Sequence, residues 1–174
     1  LAGGLKNLED VQNALNSGAD KIAINTAVVK NKNLISQISK MFGSQALIIS
    51  INAKKIFYNK WEVYIDKGRE KTGLDVLKWA KFVEKSGAGE LHLNSIDKDG
   101  ILSGFDYDLV KKISKIIKIP LVIGGGLGKL NHIDKLLKNK NIEGITSSSA
   151  LHYKYLTIKN IKKQIKKNNV SVRI

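Results

Sequence analysis

Residues 120–130 read PLVIGGGLGKL: a short apolar run, three consecutive glycines, then the start of a helical pattern. The run has the length of a buried strand, and glycine just after a strand removes the side chains that would hold a ligand away from the backbone. The same punctuation opens the chain, where Gly3-Gly4-Leu5 precedes an amphipathic stretch and then ADKIAINTA (19–27). The later copy, Gly125-Gly126-Leu127, precedes its own helical stretch and IEGITSSSA (142–150). The copies are offset by 122 residues at the glycines and by 123 at the closing alanines, Ala27 and Ala150. A phosphate-type βαβ unit repeated at that distance is what a (β/α)8 barrel of about 250 residues, built from two similar halves, would show.

Outward from these copies, short apolar runs alternate with longer amphipathic ones. KIAIN (21–25), ALIISIN (46–52), ELHLN (90–94), PLVIGGG (120–126) and GITSSS (144–149) read as strands. Residues 8–17, 31–42, 73–86, 106–118, 129–139 and 157–167 carry apolar side chains at helical spacing. Strand and helix in alternation predict an α/β fold with a parallel sheet. IFYNKWEVYID (56–66) is the exception, two alternating runs about an Asn-Lys turn that predict a hairpin inserted in one connection. The expectation is a single domain over 1–174 of the TIM-barrel type, a partial barrel of about five and a half βα units whose N-terminal third is missing from this chain. An open doubly wound sheet is the competing architecture, but it predicts no half-length repeat.

Composition narrows the function. No cysteine means no disulfide framework and no thiolate chemistry, and no apolar run is long enough to span a membrane. A cytoplasmic protein without a membrane partner is expected. The net charge of +15 raises nucleic acid as a partner, yet of 30 basic residues only Arg69 and Arg173 are arginine. Arginine is the residue suited to bidentate phosphate and base recognition, so no nucleic-acid role is expected. The positive field instead suits anionic small molecules. His132 and His152 lack metal-ligand spacing, and Asp97 and Asp99 in SIDKDG lack the rest of a calcium loop, so neither a metal nor a cofactor is expected. The basic stretch KNIKKQIKKNN (159–169) reads as a solvated helix face.

At the C-terminal ends of barrel strands, bare backbone N–H groups and hydroxyls bind phosphate. The later copy offers Gly125, Gly126 and the serines 147–149; the first offers Gly3, Gly4, Asn25 and Thr26. Two such sites across one face imply a ligand phosphorylated at both ends. The alternative for either copy is a tight strand-to-helix turn and nothing more.

Several segments now carry a resemblance: GADKIAINTAVV, FGSQALIISINAKK, GAGELHLNSIDKDGILSGFD, GGGLGKL and SSSALHYKYLTIKNIKKQIKKNNVSVRI. Together they resemble the cyclase subunit of imidazole glycerol phosphate synthase, over the whole of this chain and about the last two thirds of that family's barrel. The resemblance implies a histidine-biosynthesis lyase acting on a bis-phosphorylated aminoimidazole carboxamide ribonucleotide, with ammonia delivered along the barrel axis by a glutaminase subunit in a heterodimer. It places phosphate contacts at Gly4, Asn25, Thr26, Gly100, Gly125, Gly126, Ser148 and Ser149, and substrate contacts at Lys54, Asn94 and Asp99. It places Asp20, Lys21, Gln45 and Glu90 at the opposite mouth, where the glutaminase docks and ammonia enters.

The sequence departs from that family at its chemistry. The family uses a pair of aspartates, one ending the first strand and one ending the fifth; the first strand is absent here and the fifth ends SINAKK, with Asn52 where the second carboxylate is expected. An amide orients a substrate but does not exchange a proton near neutral pH. Two further readings therefore stand beside the cyclase: a related ammonia-channel subunit for sugar amidation in surface-polysaccharide biosynthesis, which LNSIDKDG and SSSALHYKYLTI also resemble, and an inactive barrel fragment. Strand alternation also puts Glu90, His92 and Asn94 on one side, so His92 is either a hydrogen-bonded core histidine or a residue that narrows the ammonia path.

Overall fold

The computed structural model describes residues 1–139 and 141–172. Among the described residues seven strands form one sheet: β1 (Ile22–Ile24), β2 (Leu47–Phe57), β3 (Lys60–Ile65), β4 (Glu70–Asp75), β5 (Glu90–Ser95), β6 (Leu121–Gly124) and β7 (Ile142–Ile145). The described helices are α1 (Leu8–Asn16), α2 (Thr26–Lys30), α3 (Asn33–Phe42), α4 (Val76–Lys85), α5 (Tyr107–Ile116), α6 (Asn131–Leu136), α7 (Ser149–His152) and α8 (Ile158–Lys167).

The parallel strands lie side by side as β1, β2, β5, β6 and β7, with Ala2 bridging to Ala23 outside β1. Each parallel neighbour is thus the next parallel segment along the chain. A doubly wound sheet reverses direction at a switch point; this one never does, which is the progression of barrel strands. The two sequence copies fold alike: each runs from its glycine pair through a helix and a strand into a single short helix, α2 after β1 and α7 after β7.

Strand alternation separates two faces. Leu47, Ile49, Ile51, Leu91, Leu93, Leu121 and Ile123 are fully buried in one core with Val11, Ile35, Ile38, Trp79, Val83, Leu109, Ile113 and Ile133 from the helices. Burying each such side chain stabilises the fold by about 1.5–3 kcal/mol before ordering costs. The opposite face of the same strands carries half-buried polar residues, among them Ser50, Asn52, His92 and Asn94. That face is where ligands and transit are to be sought.

Local signals set the helix starts. Asn7 accepts from Asp10 N–H at 2.9 Å in a capping box, and the side chains of Asp75, Asp106 and Thr157 cap α4, α5 and α8 by accepting one backbone N–H each. Asp75 also corrects the expected start of the 73–86 helix: the residues before it belong to β4, which the periodicity did not reveal. The GITSSS run likewise ends as a strand at Ile145, and the serines pass into a loop and α7.

β2 and β3 pair antiparallel, with Phe57 opposite Lys60, so the two turn residues are Tyr58 and Asn59 rather than Asn-Lys. Asn59 takes φ +58, a left-handed conformation asparagine tolerates. The hairpin is tied down at Trp61, whose ring is buried and whose Nε1–H donates to Asp106 Oδ2 at 2.7 Å. Asp106 thereby holds both the start of α5 and the hairpin. Asp106→Ala removes a cap and strands a buried indole donor, so a loss of about 2–4 kcal/mol is expected by denaturant unfolding. Asp106→Asn, which keeps an acceptor oxygen, should recover much of it; equal losses in both variants would refute the shared role.

Candidate active site

The loops after β5, β6 and β7 converge at the C-terminal end of the sheet. Asp99, Gly100, Gly125, Gly126, Thr146 and the serines 147–149 line one small cavity of about 20 Å³. Glycine is obligatory in its wall. Gly126 has φ +110, its carbonyl accepts from Gly104 N–H at 2.8 Å, and a Cβ on it would lie 2.2 Å from Gly104 O. Gly125 has φ +80, and its Cβ would lie 2.7 Å from Ser95 O. Among the described residues the buried Ser147 Oγ has no hydrogen-bond partner. A buried hydroxyl left unpaired beside close-packed backbone is what an anion site requires when its ligand is to supply the missing bond. Sequence reading named Ser148 and Ser149 singly and left Ser147 within the triplet; the structure marks it by its lack of a partner.

Asn94 links this cavity to the sheet. Its Nδ2 donates to Asp99 Oδ2 at 3.2 Å, and its Oδ1 sits where a Cβ on Gly124 or Gly125 would be 2.9 Å away. Asn52, on β2, stands directly opposite Asn94 on β5 and opposite Tyr64 on β3. Lys54, one step further along the same face, holds its Nζ 5.3 Å from the centre of the Tyr64 ring. Asn52, Lys54, Asn94, Asp99, Gly100, Gly125, Gly126, Ser148 and Ser149 are therefore grouped at one end of one face. Asp97, by contrast, is engaged by Lys55 N–H at 2.7 Å and holds the base of the hairpin.

The first copy is arranged differently. Asn25 donates to Tyr64 O at 3.1 Å, Thr26 Oγ1 accepts from Asp66 N–H at 3.2 Å, and both therefore face the hairpin. Gly3 and Gly4 line a separate open cleft with Leu5, Asp10, Asn13 and residues 17–19. Neither Asn25 nor Thr26 lines the cleft that holds Gly4. Among the described residues Asn25 Oδ1 is also buried without a partner, but an amide oxygen only accepts, so unlike Ser147 Oγ it does not by itself mark a phosphate contact.

At the opposite end of the sheet, Lys21 and Glu90 form an ion pair at 2.5 Å that reaches across β2. Asp20, Lys21 and Gln45 are exposed there. Midway between the two ends lies His92, hydrogen-bonded through Nδ1 to Ser50 at 2.8 Å and through Nε2 to Thr146 at 3.1 Å. Burial pushes its imidazole below the ordinary value of 6.5, and the negative charges of Glu90 and Asp99 only partly oppose this. The folded chain thus binds this proton less readily than the unfolded one. The corresponding stability is present above pH 6.5 and is lost as the pH falls from there through the folded value. The unfolding midpoint should decline on that acid side, and His92→Gln should flatten part of the decline; superimposable profiles would refute this.

A mainly parallel, singly wound α/β sheet with a glycine- and serine-lined cavity at the C-terminal end of its parallel strands and an ion pair at the opposite end defines a protein of the barrel type. Over residues 1–157 the chain matches the family described as histidine biosynthesis protein. Across its full length it is 40% identical to imidazole glycerol phosphate synthase subunit HisF of Methanococcus vannielii, covering 71% of that protein. It is 43% identical to the subunit of the same name from Hydrogenobaculum and 39% identical to that of Bacillus cereus, covering 69% of each. The chain belongs to this histidine biosynthesis family. Among the described residues, no helix is long and apolar enough to cross a membrane.

Proposed function

We propose that the chain is the cyclase subunit of an imidazole glycerol phosphate synthase, taking ammonia from a glutaminase subunit and using it on a bis-phosphorylated aminoimidazole carboxamide ribonucleotide. One observation carries the reading: the cavity at Gly125, Gly126 and residues 147–149 is joined through Asp99 and Asn94 to a polar sheet face that ends at the Lys21–Glu90 pair. One end suits a phosphate, the other a docking partner and an entry for ammonia. In this reading the glycine backbone and Ser147–Ser149 hold one phosphate, Asn25 and Thr26 help to hold the second, and Lys54, Asn52 and Asn94 orient the heterocycle between them. Asp20, Lys21, Gln45 and Glu90 face the glutaminase. The test is turnover of the ribonucleotide under saturating ammonium, followed by glutamine with the glutaminase added. Formation of the imidazole product supports the assignment, and its absence under saturating ammonium rejects it.

Asn52 favours a second reading. A conduit needs no carboxylate at that position, so an ammonia-channel subunit serving a sugar amidotransferase fits Asn52 without loss. Glutamine-dependent amination of a nucleotide sugar by the chain, its glutaminase and a sugar amidotransferase, with no imidazole product, would select it.

A further inference from the structure

His92 lies midway along β5, directly opposite Ser50 on β2. Its hydrogen bonds to Ser50 and to Thr146, beyond β6, carry the ring across the sheet. Gly124 makes that reach possible: a Cβ there would lie 2.5 Å from Thr146 Oγ1 and 3.1 Å from His92 Nε2. Barrel interiors are ordinarily filled by branched apolar side chains, and here a hydroxyl–imidazole–hydroxyl rung stands in their place. Two residues down β5 is the Lys21–Glu90 pair and two residues up is Asn94–Asp99, so polar rungs follow one another at about 6.6 Å.

The middle rung differs from its neighbours in carrying no charge. A neutral imidazole donates at one nitrogen and accepts at the other, and two hydroxyls complement it in either tautomer. Held at both ends, the ring stays over Gly124. The charged groups that bear on it, Glu90 and Asp99, belong to the rungs below and above. A hydrated cation crossing here would shed water with no carboxylate in the rung to replace it. Ammonia, a small neutral donor and acceptor, exchanges hydrogen bonds with the two hydroxyls and leaves none unmade.

We propose that the Ser50–His92–Thr146 rung is the ion seal of the ammonia path, passing neutral ammonia while keeping ammonium and other hydrated ions from the space between the two ends of the sheet. The inference rests on the reading of the chain as an ammonia-receiving subunit. Replacing the imidazole by a methyl group leaves room on the order of one or two waters. Ammonia in such a gap is protonated at neutral pH and mixes with the bulk pool.

The test supplies the complex of chain and glutaminase with the ribonucleotide, glutamine labelled with 15N at its amide, and unlabelled ammonium in the bulk, and reads the isotope ratio of the product by mass spectrometry. The ratio does not depend on the overall rate, so a slow cyclase still reports it. The native complex should give product dominated by 15N. His92→Ala should lower the 15N to 14N ratio at least fivefold, and His92→Gln, which keeps a donor and an acceptor, should restore much of it. Thr146→Val, which removes one hydroxyl without changing shape, should lower the ratio to an intermediate value and serves if the alanine variant fails to fold. Native product at the bulk ratio would overturn the ammonia-receiving reading itself, and no product would overturn the cyclase reading on which the inference rests. Labelled native product with unchanged ratios in the His92 and Thr146 variants would overturn the seal alone.

Discussion

Asn52→Asp should raise ammonium-dependent formation of the imidazole product by about 10²–10⁴-fold, the usual contribution of a positioned general acid or base. Asn52 lies on the polar face of β2, half-buried, opposite Asn94 and two residues before Lys54. Its amide makes no hydrogen bond to another described residue, so the nearly isosteric carboxylate breaks nothing in the fold. What changes is proton exchange: an amide has no accessible protonation equilibrium near neutrality, whereas a carboxylate there can take and return a proton as the ring closes. The resemblance to the cyclase family places an aspartate at this position.

The measurement is initial rate under saturating ammonium without glutaminase, so that neither docking nor ammonia transit limits it. A gain of two orders of magnitude or more, with KM for the ribonucleotide little changed, is the expected result, because the interaction gained belongs to the transition state. No gain, with the variant folded and binding the ribonucleotide, would mean that the position does not move a proton here. The sugar-amidation reading would then stand ahead of the cyclase.

Much of this arrangement is legible in the sequence because glycine and strand alternation each have one dominant physical cause. The paired Gly-Gly copies announced the strand-to-loop turns, and the positive φ values at Gly3, Gly4, Gly125 and Gly126 show why no other residue serves there. Alternation in ELHLN put Glu90, His92 and Asn94 on one face, where the structure has them. β4 escaped notice because EKTGLD lacks an apolar alternation: its side chains are mostly exposed or half-buried, and its pairing with β3 supplies the order that its own pattern does not. Thr146 and Ser50 escaped for a different reason. Their importance lies in a partner 54 or 42 residues away, and no local pattern marks a hydroxyl that will meet a histidine across the sheet. The divergence of the two copies was equally invisible: Asn25 and Thr26 are held by the hairpin through Tyr64 and Asp66, a contact that the second copy has no segment to make.

Gly126→Ala should abolish binding at the C-terminal anion cavity. The residue sits at φ +110, where an L side chain is strained, and its new Cβ would lie 2.2 Å from the carbonyl oxygen of Gly104. That neighbour is backbone and is itself bonded to Gly126 through the Gly104 N–H, so relief of the clash must move the loop after β5 or the loop after β6. Either movement pulls Asp99 and Gly100 away from the serines 147–149 that complete the cavity. Overpacking and backbone strain together should cost about 3 kcal/mol of stability, and the displaced loops should weaken ribonucleotide binding at least tenfold. Calorimetric titration with the ribonucleotide reads the second effect and denaturant unfolding the first. Ser147→Ala separates the two, because it removes a hydroxyl that no group among the described residues uses and so should weaken binding while leaving stability within about 0.5 kcal/mol of native. If Ser147→Ala binds the ribonucleotide as the native chain does, the unpaired hydroxyl is not a phosphate ligand, and the anion site rests on the glycine backbone and the two following serines alone.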